Sequence, residues 1–312
     1  MTYEDCLKGE EIMKNYLSID IGGTNVKYAK LDNAGQIIEK DKVKTPHNKD
    51  EFLKVIDQIV AKYVKEGIKG IAFCAPGKIV KTTIHFGGAL PFLDGIDFAK
   101  RYQKADVPIG VINDGKASVL AENWLGSLKD MKNCAAITLG TGVGGGIIVD
   151  GRLLNGAHFQ AGELSFLQLN MKAPGFDGFA GGYASAVQMI KKINQALGNQ
   201  DLTDGLAAFK AINSKEITAT KIFTEYCKRI AAIIIDIQAV VDLDAIAIGG
   251  GISAQPIVTK EINQVYDQII NDNPIIKMTF TRPQILDAKF KNAANLYGAL
   301  YNLLLHINGE KL

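Results

Sequence analysis

Apolar residues follow two rhythms along this chain, and their alternation predicts its elements. Residues 16–21 and 26–31 read as apolar strands joined by Gly22-Gly23-Thr24-Asn25, with a polar turn over 32–35. Residues 37–44 continue as a third strand. Phe52, Leu53, Ile56, Ile59, Val60, Tyr63 and Val64 recur at helical spacing and predict an amphipathic helix that Gly67 ends. Buried strands are predicted at 71–74 and 109–112, the latter followed by a helix over 116–124. A second hairpin of the same design spans 136–150, with its turn at Gly140-Thr141-Gly142. Helices follow at 187–196 and through Phe223, Tyr226, Cys227, Ile230, Ile234, Ile237, Val240 and Val241; 245–248 reads as a strand and 293–305 as a closing helix. Strands interleaved with helices indicate α/β layers, and the repeated hairpin indicates two halves.

Composition bounds this picture. With 312 residues and 47% hydrophobic content the chain can bury one or two substantial cores. The absence of a low-complexity linker places the junction in a compact hinge near 115–130. A formal charge of +2, with lysines and acids interspersed, argues against a nucleic-acid-binding stripe. Cysteines 6, 74, 134 and 227 have no paired spacing, and Cys74 and Cys134 lie in apolar runs, which points to a reducing cytoplasm. No apolar run reaches the ~18 residues of a membrane span, and the first residues lack the pattern of a signal peptide. Residues 1–15 read as an N-terminal extension, and Met13 just before the first strand leaves open whether 1–12 belong to the native chain.

The chemistry concentrates at the glycine turns. Glycines allow close backbone approach and aim successive N–H groups into one concavity, which suits a phosphate. Each turn alone is equally a plain hairpin closure. Asp20 before the first turn and Thr24 within it go further, because Mg²⁺ with nucleotide phosphates uses both a carboxylate and a hydroxyl. No Gly-Lys-Ser/Thr follows, as a P-loop requires, and a strand rather than a helix comes next, unlike the Rossmann fingerprint. Asp114 ends the 109–112 strand just before a helix, where it either caps that helix or faces a cleft. Glu163 after Gly162 and His158 read, by themselves, as loop residues. Gly249, Gly250 and Gly251 follow a buried strand, as a strand-to-helix turn or as a surface on which a nucleoside can lie.

Six pieces in order carry a family resemblance over about 17–304: Asp20 to Asn25; Ala75-Pro76-Gly77; Asn113-Asp114; the stretch 139–146; Gly156-Ala157 with Ala161-Gly162-Glu163; and the stretch 248–253. The chain resembles the ROK family of bacterial sugar kinases and repressors. That resemblance implies a duplicated actin-like, ribonuclease-H-like fold of the hexokinase type, with two α/β domains around a cleft. The domains are expected at 16–118 together with a returning helix at 292–312, and at 119–291. It implies ATP with Mg²⁺ near Asp20, gripped by Asp20, Gly22, Gly23, Thr24, Asn25, Gly140, Thr141 and Gly142, with the adenosine on Gly249, Gly250 and Gly251. The γ-phosphate would pass to a hexose, amino-hexose or β-glucoside hydroxyl, the 6-hydroxyl first among them. Asp114 would be the general base, and Asn113, Glu163, His158, Gly77 and Gly88 would shape the sugar pocket. With Asp114 in the first half and Glu163 in the second, joining them on one sugar predicts domain closure. A homodimer is also expected.

One region departs from the family pattern. Zinc-bearing members continue Gly-Glu-x-Gly-His and then a three-cysteine loop; here Ser165-Phe166 takes the place of Gly-His and 167–182 holds no cysteine. Zinc needs about four N or S ligands, so no structural zinc is expected. This arrangement looks most like the family's Gram-positive β-glucoside kinases and N-acetylmannosamine kinases. The alternatives are a different sugar specificity, such as glucokinase or fructokinase, and a sugar-sensing regulator. Such repressors carry an N-terminal DNA-binding domain, whereas the short, acidic stretch before the first turn has the wrong sign for DNA.

Overall fold

The structure, a computed structural model, describes residues 13–309, so whether residues 1–12 belong to the native chain lies outside the described residues. The chain divides into two compact units, residues 13–112 with 299–309, and Asn113–Gly298.

The first unit is built on β1 (Asn15–Ile21), β2 (Asn25–Asp32) and β3 (Ile37–Lys44), an antiparallel meander. Helix α1 (Lys49–Lys65) follows, then β4 (Ile71–Ala75), a small hairpin of β5 (Lys78–Val80) and β6 (Thr83–His85), the single turn α2 (Phe98–Arg101) and β7 (Ile109–Asn113). The sheet order is β3-β2-β1-β4-β7, with β4 parallel to β1. Asn48 starts α1 by accepting the N–H groups of Asp50 and Glu51 at 2.9 and 3.3 Å. Phe52, Ile56 and Tyr63 on its apolar face join Ile19, Ile71 and Phe73 in one core. Gly67, at φ +79°, ends it as predicted.

The second unit opens with α3 (Asp114–Leu125), then β8 (Cys134–Leu139), β9 (Val143–Val149) and β10 (Arg152–Leu153). Helices α4 (Ala180–Tyr183), α5 (Ala186–Ala196), α6 (Gly205–Asn213) and α7 (Ile217–Val241) lead to β11 (Ala245–Gly250). Then come α8 (Pro256–Asn271), α9 (Pro274–Thr279), β12 (Gln284–Asp287) and α10 (Ala294–Ile307), whose residues from Ala299 belong to the first unit. Its sheet, β10-β9-β8-β11-β12, repeats the first: a hairpin, a third antiparallel strand, then two parallel strands. Helix α7 buries Phe223, Tyr226, Cys227, Ile230, Ile234 and Ile237, whereas Val240 in its last turn is exposed.

The units divide at 112/113 and 298/299, where the sequence predicts 118/119 and 291/292. The physical reason is the start of α3, which lies against β9: a Cβ on Gly115 would fall 2.4 Å from the Gly145 carbonyl oxygen. Buried Cys74 and Cys134 are packed as small hydrophobes. No described helix is long and apolar enough to cross a membrane.

Candidate active site

In the second unit, glycines bring two carboxylates together. Asn113 caps α3: its Oδ1 accepts the N–H groups of Gly115 and Lys116 at 2.9 and 3.3 Å. Asp114, offered as a cap by its position alone, is instead the first helical residue, exposed, with one oxygen accepting the Gly115 N–H at 2.8 Å. The helix can start this close to the sheet because Gly115 and Gly146 lack side chains; a Cβ on Gly146 would fall 2.6 Å from Val119 Cγ1. On the other side of β9, Leu164 fills the space over Gly145, where a Cβ would meet Leu164 Cδ1 at 2.3 Å. Gly162, at φ +83°, turns the chain there, and Glu163 follows it. Gly145 and Gly146 therefore serve packing within β9, and the turn proper is Gly140–Gly142.

Charge links these groups. Burial and the Asp114 carboxylate push the Glu163 carboxyl above its ordinary range, against the pull of the Lys116 ammonium. Lys116 is buried, and its Nζ donates to Asn155 Oδ1 at 3.0 Å and to the Phe159 carbonyl at 3.1 Å. His158 is exposed on the loop those bonds hold. Asp114 and Glu163 both belong to the second unit, so bringing them together needs no domain closure, contrary to the sequence expectation.

The remaining glycines of this unit lie at the carboxyl ends of neighbouring strands. Leu139 pairs with Gly250 across β8 and β11, which sets Gly140, Thr141 and Gly142 beside Gly249, Gly250 and Gly251. The Gly140 N–H donates to the Gly142 carbonyl at 3.1 Å, and its own carbonyl accepts the Ala186 N–H at 3.0 Å. Gly250 must be glycine: at φ +94° a Cβ would lie 2.2 Å from the Leu139 carbonyl oxygen. Gly140 and Gly251 face open space, with nothing within 4 Å of a Cβ. Ser165 Oγ donates to the Val143 carbonyl at 3.0 Å, tying the Glu163 segment to the base of this turn.

In the first unit, Asp20 is buried at the end of β1, opposite Lys27 on β2, whose Nζ lies 3.2 Å from Asp20 Oδ2. The Gly22 N–H donates to the Asn25 carbonyl at 3.1 Å, and Thr45 Oγ1 holds the Gly22 carbonyl at 2.6 Å. Thr24 is exposed, and a Cβ on Gly23 would come 3.6 Å from the Ala89 Cβ. Gly77 at φ +95° packs under the Phe86 carbonyl, and Gly88 at φ +58° lies by Pro76. Asp20 fits Mg²⁺ chemically, as a hard carboxylate of the kind that holds a largely hydrated ion, with Lys27 sharing its charge. Among the described residues no group of three or more His, Cys, Asp or Glu side chains is placed to hold a metal ion. Over 167–182, aromatic packing braces the loop: the Phe176 ring lies 6.4 Å from that of Phe166 and 6.2 Å from that of Phe179.

Four contributors were not apparent from the sequence. Ser165 and Thr45 carry no motif. Glu122, fully buried, accepts the N–H groups of Ser127, Lys289 and Phe290 at 2.9–3.0 Å. Lys116 did leave a signal, a lysine three and four residues before Val119 and Leu120 on the apolar face of a predicted helix.

The ROK family model matches residues 16–305. A β-glucoside kinase from Listeria monocytogenes is 27% identical over 93% of this chain and 98% of its own. An N-acetylmannosamine kinase from Haemophilus influenzae is 27% identical over 91% and 94%. Among solved structures, a ROK family protein from Streptococcus pneumoniae TIGR4 in complex with sucrose superposes with a TM-score of 0.83, at 26% identity over 95% of this chain and 99% of that one.

Proposed function

This chain belongs to the ROK family and has its duplicated actin-like fold, and we propose that it is an ATP-dependent carbohydrate kinase acting on a hexose, amino-hexose or β-glucoside hydroxyl, the 6-hydroxyl first among them. The observation that carries this reading is that the segments bearing Asp114 and Glu163 both pack on Gly145, close enough for the Asp114 charge to act on the Glu163 carboxyl, beside an open glycine turn in the same unit. Sugar hydroxyls are poor nucleophiles at neutral pH, and a positioned carboxylate base contributes roughly 10²–10⁴-fold. Asp114 suits that role because it is exposed, oriented by the Gly115 N–H, and set at a helix N-terminus that favours negative charge. Glu163, ionised, accepts two hydroxyl donors and so orients the sugar, with Asn113 and His158 as further sugar contacts in the same unit; Gly77 and Gly88 are the sugar-binding candidates of the first unit. The Gly140–Gly142 turn binds ATP phosphate, with the adenosine over Gly249–Gly251 of the same unit, and the Gly22–Asn25 turn is the phosphate-binding turn of the first unit. Mg²⁺ bound with ATP near Asp20 supplies charge neutralisation at the phosphate oxygens, a main part of phosphoryl-transfer catalysis.

Curated relatives named as sugar kinases over nearly the whole chain support this reading. A cytoplasmic homodimer without structural zinc completes it. The test is ADP release with glucose, cellobiose and N-acetylmannosamine as acceptors. Turnover with at least one supports the kinase; sugar binding without ADP release from any would leave a sugar-sensing regulator.

A further inference from the structure

Resting on that reading, we propose that Lys116 is a positioning residue of the sugar site, tying the 155–163 loop to α3 and serving as the internal counter-charge that keeps Glu163 ionised opposite Asp114. Lys116 has 5% of its surface exposed. An ammonium group withdrawn from water costs several kcal/mol unless it is paired and hydrogen-bonded. Its two hydrogen-bond acceptors, Asn155 Oδ1 and the Phe159 carbonyl, are neutral. They bracket the loop that carries His158 and runs on to Glu163, so this one side chain fixes where that loop sits on the helix bearing Asp114.

The charges around it explain why a lysine stands there. Glu163 feels the charge of the Lys116 ammonium and also that of Asp114, the carboxylate two residues earlier on α3. The β9 residues against the Gly115–Lys116 start of α3 are Gly145 and Gly146, which bring no charge. His158 on the same loop is exposed. Two carboxylates sharing a site repel, and the more buried one takes up a proton. A protonated Glu163 would lose an acceptor position that a sugar hydroxyl needs. Burial disfavours the Lys116 charge while Glu163 favours it, and Lys116 in turn lowers what burial and Asp114 raise at Glu163. The buried lysine lets Glu163 stay an acceptor while Asp114 stays a base.

The test compares Lys116→Met, which removes charge and tether, with Lys116→Gln, which removes charge and keeps a donor. The Glu163 carboxyl is followed by ¹³C NMR over pH in the ligand-free protein, assigned with Glu163→Gln. Both variants should raise its titration midpoint, by about one pH unit, and one unit is a tenfold change in the ionised fraction on the acid side. In turnover, the acid limb of the kcat/KM profile for sugar should move up with it, while KM for ATP stays within twofold. An unmoved midpoint in folded Lys116→Gln overturns the counter-charge, as does a shift seen only in Lys116→Met. If the wild-type protein phosphorylates none of the three sugars, the kinase reading fails, whereas the carboxyl titration still decides the role of Lys116.

Discussion

Gly140→Ala separates the ligand from the fold. A methyl group on Gly140 meets no atom within 4 Å, and the residue does not occupy the left-handed region, so the folded chain accepts it. The substitution even removes conformational freedom from the unfolded chain, stabilising by about 0.4–1 kcal/mol where the backbone is compatible. The same open space is where a phosphate would lie against the turn. Displacing one charge-assisted hydrogen bond there costs about 1.5–3 kcal/mol, or a roughly 10- to 150-fold rise in KM for ATP at 1.4 kcal/mol per tenfold. The assay is steady-state turnover with ATP varied at saturating sugar, beside a thermal melt. KM for sugar should hardly change, and Tm should stay level or rise. A stable variant with wild-type ATP kinetics would remove the phosphate role from this turn. Gly22 cannot serve in its place, because a Cβ there lies 2.9 Å from the Asn25 carbonyl oxygen and would disturb the turn itself.

Asp114→Asn should lower kcat by at least ~10² with sugar affinity within a few-fold, since the amide keeps the shape but takes no proton; near-normal turnover would remove it as the base. Because the Glu163 carboxyl titrates above its ordinary range, sugar affinity should fall as pH drops through that raised value. The folded state should gain stability over the same interval as a buried charge is neutralised, and calorimetry with glucose and melts between neutral and mildly acidic pH check both signs. Glu122→Ala should destabilise the fold by about 2–5 kcal/mol by stranding the buried N–H groups of Ser127, Lys289 and Phe290, read by denaturant unfolding. Elemental analysis should find well under one zinc per chain, with no loss of Tm on adding a chelator; stoichiometric zinc would show ligands gathered from distant positions.

What the sequence determined by itself is everything set by local periodicity and turn chemistry. The two hairpins, their glycine turns, the helix through Phe52–Val64 that Gly67 ends and the strand that delivers Asn113 and Asp114 were legible because each depends on neighbours within a few residues. Helices α6 and α8 and strand β12 were not predicted, although Val258, Ile262, Val265 and Tyr266 of α8 recur at helical spacing. Tertiary structure alone decided what the pattern left open. Asn113 rather than Asp114 caps α3, because both residues carry a suitable oxygen and only the path of β7 into the helix selects one. Gly144, Gly145 and Gly146 look in sequence like an extension of the phosphate turn. In the fold the missing side chains of Gly146 and Gly145 admit α3 on one side and Leu164 on the other, which brings the segments bearing residues 114 and 163 onto the same strand. Lys116 stands out in the sequence only as a lysine on the apolar face of a predicted helix, and its partners on the 155–159 loop appear only in the fold. Burial, and with it the weight of a charge, is a property of contacts far apart in the chain, and no local pattern carries it.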